Sequence, residues 1–211
     1  MTQNVVGGIP LSHRLMAAAL PCVTTAICAV HFHNGWAALL SYHAVILGSL
    51  ALWSRRAPIQ PLRGRWTRFG VACCVLSVLS GPLLAFLLPI AVRVSLETRL
   101  ANTGLSGAAW ILFVPYFALV NPVLEEMFWR GVLRTQGRST LLFDLLFASY
   151  HLVVLPLFLK PSFVLLGAIV LLSTSAGWRH LSERSGGLLP AIVAHILADI
   201  GIVTAVTLHS R

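Results

Sequence analysis

Seven stretches of about twenty apolar residues constrain this chain more than any other feature, because a helix of that length crosses a hydrocarbon layer of about 30 Å. They fall at roughly 14–32, 35–53, 69–92, 105–134, 140–159, 162–181 and 188–208. Composition agrees: 57% of residues are hydrophobic and 10% are charged, with a mean hydropathy of +0.86. A soluble domain carries about 25% charged residues. This chain is far below that, so its outer surface is expected to face lipid. The expected fold is all-α: a polytopic transmembrane helical bundle of about seven spans. Trp36 and Trp53 bracket the second span and Trp178 marks the end of the sixth, where indole rings favour the interface. The fourth stretch is too long for an upright span, and Pro115 and Asn121-Pro122 are expected to bend it.

Charge placement gives an orientation. With the N-terminus inside, the cytoplasmic segments hold eleven basic residues: Arg14, Arg55, Arg56, Arg63, Arg65, Arg68, Arg130, Arg134, Arg138, Arg179 and Arg184. The other side holds four, namely Arg93, Arg99, Lys160 and Arg211. This asymmetry predicts a cytoplasmic N-terminus. It also makes the net charge of +9 a matter of topology beside anionic headgroups, so no nucleic-acid partner is expected. The first apolar segment is too long for a signal-peptide core. Cys22, Cys28, Cys73 and Cys74 sit inside apolar runs without metal-ligand spacing and read as packing residues. His31 and His33, with His43 in the next helix, are read as outer-turn and helix residues rather than a metal site.

Ionisable groups inside a membrane cost about 2.5–3.5 kcal/mol each on insertion scales, and here they gather in the C-terminal half. Glu126 and Arg130 are four apart with the acid first, the favourable order for an ion pair on one helix face. Glu125 points about 100° away and has no partner on its own helix, which leaves it available for chemistry. Phe147 and His151 share a face of the fifth helix, and His195 and Asp199 share a face of the seventh. Asp144, near the start of the fifth helix, reads as interfacial. At 1.5 Å per residue from the expected cytoplasmic ends, Glu125 lies about 13 Å deep, His151 about 16 Å, His195 about 10 Å and Asp199 about 16 Å. Independent packing residues have no reason to agree in depth, whereas a shared cavity explains the agreement.

The three segments resemble, in order, the CPBP family of intramembrane peptidases, which includes the CAAX prenyl endopeptidases. Glu125-Glu126…Arg130, Phe147…His151 and His195…Asp199 are similar to its Glu-Glu-x-x-x-Arg, Phe-x-x-x-His and His-x-x-x-Asn patterns, and Gly187 to His195 looks like its lead-in to the third. The resemblance covers about residues 105–205. It implies one integrated membrane domain, with residues 1–104 as an N-terminal three-helix region and 105–208 as the catalytic helical core. It further implies an endopeptidase in which Glu125 and His151 activate a water near the cytoplasmic side. His195 and Asp199 would stabilise the oxyanion or orient the substrate, with Glu126, Arg130 and Phe147 in support. The substrate would be a protein or peptide, with a lipidated or membrane-anchored C-terminal segment as one form. Asp199 departs from the family's Asn, and an ionised carboxylate cannot donate a hydrogen bond to an oxyanion. No cofactor is required, although Glu125, His151 and His195 would also suit zinc; the His-Glu-x-x-His zinc-peptidase signature is missing. Two other classes remain: a non-catalytic membrane binding or immunity protein of the same family, and a proton-coupled carrier, which the lack of paired interrupted helices disfavours. The compact size points to a prokaryotic inner membrane.

Overall fold

The structure is a computed structural model that describes residues 9–53, 60–133 and 140–210. Arg55, Arg56, Arg134, Arg138 and Arg211, used above for orientation, lie outside the described residues. Among the described residues eight helices follow one another: α1 (Leu11–Thr25), α2 (Gly35–Trp53), α3 (Arg68–Ala91), α4 (Leu96–Asn102), α5 (Ala108–Glu126), α6 (Thr140–Phe158), α7 (Pro161–Ser185) and α8 (Leu189–His209). Two of them run on as π-helix, α1 through Ala26–His31 and α5 through Met127–Val132. All but the short α4 are long and apolar enough to cross a membrane, which gives the seven expected spans. No strand occurs among the described residues. The protein is therefore an integral, multi-pass membrane protein.

Burial is inverted relative to a soluble domain. Phe86, Ile111 and Leu52 are 78%, 71% and 70% exposed, while Glu125 and Glu126 are 0% exposed. Lipid solvates the first group as well as a protein core would, and only the interior can solvate the second. Large apolar side chains therefore point outward at no cost, and polar ones are drawn together inside.

Backbone bonds show which helix ends meet. At one end Gly35 donates to the Thr103 carbonyl at 2.8 Å, Arg93 to Phe158 at 3.1 Å and Lys160 to Ala91 at 2.9 Å. These join the loops that follow the first, third and fifth spans. At the other end Leu188 and Leu189 donate to the carbonyls of Pro61 and Leu62 at 3.0 and 2.8 Å, and Arg65 donates to Ser185 at 2.8 Å. These join the loops after the second and sixth spans. Successive helices thus run up and down. α4, which the sequence reading missed, lies in the loop between α3 and α5, with Ser95 capping it through the Thr98 amide at 3.3 Å.

The second set of contacts fixes α8. α7 ends on Gly186 in the left-handed conformation, φ 66° and ψ 21°, and Gly187 donates back to Ser182 at 3.2 Å. A glycine suits that conformation because a Cβ would strain it. A Cβ on Gly187 would lie 1.6 Å from the Arg63 carbonyl oxygen, so only glycine lets residues 60–66 cross here. That crossing supplies acceptors for two amides at the start of α8, which has no side-chain cap. α3 packs along α8 at a second close approach, where a Cβ on Gly81 would sit 2.8 Å from the Gly201 Cα. Small residues at such crossings let transmembrane helices approach closely.

Pro115 and Pro122 lie within one continuous helix, and the departure from α-geometry comes after them. Both π segments begin five residues after an internal proline, Pro21 and Pro122. In the second, Phe128 through Leu133 are all buried, and Leu133 donates to the Phe128 carbonyl five residues back at 2.8 Å. The wider turn occurs beside the ionisable cluster, as π segments often do near functional sites.

Candidate active site

Glu125 and Glu126 close α5 about 10 Å from the end of its π extension, and His195 lies about 9 Å along α8 from the same end of the molecule. The two helices pack together, and the carboxylates converge on His195. Its Nδ1 is 3.0 Å from Glu126 Oε1, and its Nε2 is 3.5 Å from Glu125 Oε2 and 3.7 Å from Asp199 Oδ1. The ring is stacked on Trp178 of α7 with centroids 4.0 Å apart. Nδ1 faces a carboxylate at hydrogen-bond distance, so it is the donating nitrogen. Nε2 then faces Glu125 and Asp199.

The ion pair expected on α5 is present. Arg130 Nη1 is 3.1 Å from Glu126 Oε1, with both groups buried. The guanidinium also donates to Ser175 Oγ at 3.0 Å and lies 4.3 Å from the centre of the Phe147 ring. Ser175 Oγ passes a hydrogen bond to Asp144 Oδ1 at 2.9 Å, and Arg179 Nε donates to Asp144 Oδ2 at 2.9 Å. Asp144 is thus 3% exposed and enclosed by the protein, one turn inside the start of its span. The reason is that α7 offers it both a hydroxyl and a guanidinium on one face, Ser175 and Arg179 being four residues apart.

Glu125 is not without partners. The Tyr150 hydroxyl donates to its Oε1, while its Oε2 has no hydrogen-bond partner in the protein. Tyr150 is stacked on Tyr42 of α2 at 4.8 Å, and Tyr42 accepts a hydrogen bond from Trp129 Nε1 at 3.0 Å. His151 shares a helix face with Phe147, as the spacing predicts, their ring centroids 5.0 Å apart. Its Nδ1 donates to the Phe147 carbonyl at 3.0 Å and its ring lies against Tyr150 at 3.9 Å. It is within electrostatic range of Glu125, Arg130 and His195 but makes no hydrogen bond or ion pair with them. Nδ1 is occupied within its own helix, so Nε2 is the nitrogen left for chemistry.

The structure therefore brings Glu125, Glu126, Arg130, His195 and Asp199 into one contact cluster, with Phe147 under the guanidinium and His151 beside it. It adds partners that sequence reasoning missed: Tyr150, Asn121, Ser175, Trp178 and, from α2, Tyr42 and His43. Two had a readable signal. Asn121 lies one turn before Glu125 on the same face, and His43 is a lone imidazole inside an apolar span. The others are ordinary interior residues until their neighbours are known. Among the described residues, no group of three or more His, Cys, Asp or Glu side chains is arranged to hold a metal ion.

The chain is thus a multi-pass helical membrane protein that encloses carboxylates and imidazoles between its spans. Residues 107–201 match the family model described as type II CAAX prenyl endopeptidase Rce1-like. This part of the chain, from the start of α5 into α8, is similar to that membrane protease family. No curated protein and no solved structure matches the chain.

Proposed function

We propose that the protein is a glutamate-dependent intramembrane endopeptidase that works without a metal, with Glu125 as the general base. The observation that carries the reading is the state of Glu125. Its carboxylate is wholly buried, Tyr150 fixes one oxygen, and the other makes no hydrogen bond within the protein and faces His195 Nε2 at 3.5 Å. Glu126 Oε2 is likewise without a hydrogen-bond partner; what separates the two is that Glu126 is held by the Arg130 guanidinium, whereas Glu125 is held by a neutral hydroxyl. A base needs one oxygen held and one open to a water.

In the reaction, the water loses a proton to Glu125 Oε2 as its oxygen bonds to the peptide carbonyl carbon. The negative charge moves onto the carbonyl oxygen. Collapse of that intermediate breaks the C–N bond, and the proton held by Glu125 passes to the leaving amine. His151 Nε2, left bare because Nδ1 donates to the Phe147 carbonyl, accepts from the same water and helps Glu125 activate it. His195 and Asp199 orient the peptide or, with His195 as the imidazolium, stabilise the oxyanion. A positioned acid–base group contributes about 10²–10⁴-fold and an oxyanion donor about 10²–10³-fold. Glu126 plays no direct part, because Arg130 and His195 Nδ1 share its Oε1. Arg130 and Phe147 hold that arrangement. The substrate is a protein or peptide, and a lipidated or membrane-anchored C-terminal segment would bring its scissile bond to this depth. The site lies toward the end of the bundle that carries most of the arginines, the end expected to be cytoplasmic.

The test compares the C-terminal proteomes of wild-type and Glu125→Gln cells. The expected result is a processed peptide present only in the wild type, with processing retained in membranes treated exhaustively with a chelator. Full processing in the Gln variant would remove the enzyme and leave a binding or immunity protein. Loss on chelation, restored by zinc, would make the enzyme a metallopeptidase.

A further inference from the structure

Buried polar groups that this reaction leaves unused, on α2 and α5, form a line that ends on Asp199 of α8. His43, in the middle of α2, is 2% exposed. Its Nδ1 is 3.0 Å from the Tyr116 hydroxyl and its Nε2 is 3.0 Å from Asn121 Oδ1. Asn121, 3% exposed, donates from Nδ2 to Asp199 Oδ2 at 3.3 Å. The other Asp199 oxygen, Oδ1, faces His195 Nε2 at 3.7 Å.

The direction of these bonds is a single choice. An amide has one acceptor and one donor end. If Asn121 gives its NH₂ to Asp199, its oxygen faces His43, and His43 must donate from Nε2. His43 Nδ1 is then bare and accepts from the Tyr116 hydroxyl. If Asp199 carried a proton on Oδ2, every bond would reverse and His43 would hold its proton on Nδ1. The line has two directions and no intermediate ones.

We propose that His43 and Asn121 are positioning residues for the reaction, holding Asp199 Oδ2 as an acceptor so that any proton on Asp199 lies on Oδ1, facing His195. The reason lies in what each oxygen touches. Oδ1 is inside the cluster with His195 and Glu125, where a proton can be passed on. Oδ2 leads away to α2, where it cannot. The inference rests on the peptidase reading of the site, and it gives a catalytic reason for α2 to carry an imidazole. Tyr116 anchors the far end, with its ring 5.5 Å from Trp36, whose Nε1 donates to the Ala109 carbonyl at 3.1 Å.

The first test needs no substrate. Nitrogen NMR of ¹⁵N-histidine-labelled full-length protein in nanodiscs, with His43 assigned from the His43→Gln spectrum, reports the tautomer. The expected form is neutral with the proton on Nε2; a proton on Nδ1 with Nε2 bare overturns the proposal. The second test uses a farnesylated Cys-Ala-Ala-Met reporter peptide as the probe. His43→Gln keeps a donor toward Asn121 and is expected to hold kcat, whereas His43→Phe and Asn121→Leu lower kcat about 10²-fold with little change in KM, the scale of a small misplacement at a reacting centre. A His43→Phe enzyme with wild-type kcat would also overturn it. Failure of the Glu125→Gln test would remove the peptidase while leaving the tautomer result standing, so the two failures are distinguishable.

Discussion

Two adjacent carboxylates, both wholly enclosed, share their surroundings with one guanidinium and one imidazole that bonds Glu126. At the residue scale this makes Arg130 the group whose loss should be felt most. It gives Glu126 its ion pair at 3.1 Å and ties α5 to α7 through Ser175. Removing one partner of a buried pair costs about 3–5 kcal/mol, because the remaining charge is stranded. Arg130→Met should therefore lower the thermal midpoint in detergent sharply, and pairing it with Glu126→Gln should recover much of the loss. Arg130→Lys should fall between, since an ammonium cannot reach both Glu126 and Ser175 in the geometry of a planar fork. Differential scanning fluorimetry of the four proteins checks the order. The Glu126–Arg130 pair was legible in the sequence because four residues is one helical turn. The Tyr150 bond to Glu125 was not: nothing in the order of residues says that a tyrosine on α6 reaches a carboxylate on α5.

At the scale of elements, the position of α8 decides whether His195 and Asp199 face α5 at all. Two glycine contacts set that position, Gly187 under residues 60–66 and Gly201 against Gly81. Gly201→Leu puts a side chain where the backbone of α3 now lies, with a Cβ 3.0 Å from Gly81. Overpacking of this kind costs about 1–3 kcal/mol, and here it also moves α8. The expected outcome is a lower thermal midpoint together with loss of peptide processing. Gly48→Leu, which meets nothing within 4 Å, should leave both unchanged. If both variants behave alike, the close crossing is not what places α8. The seven spans themselves were readable to within a few residues, since length and hydropathy suffice for them. The π extension of α5 and the short α4 were not, because each depends on local hydrogen bonds that hydropathy does not encode.

For the whole molecule, the orientation follows from which end carries the cations. Among the described residues, Arg14, Arg63, Arg65, Arg68, Arg130, Arg179 and Arg184 lie toward the end where the loops after the second and sixth spans meet, and Arg93, Arg99 and Lys160 toward the other. The first end should be cytoplasmic. In intact cells a membrane-impermeant maleimide should label Ser106→Cys, and should label Arg65→Cys only after permeabilisation; the opposite pattern would invert the molecule and move the site to the outer half. By itself the sequence determined that the chain is helical, that it crosses the membrane seven times and that its costly charges gather in the last four spans, because hydrophobic length and the expense of buried charge are local properties of a segment. Only the tertiary structure decided which oxygen of Glu125 is open, that His195 rather than His151 touches it, and that α2 reaches Asp199 through His43 and Asn121. Those facts depend on how helices far apart in the chain are rotated against one another, and glycine crossings and loop hydrogen bonds set that rotation.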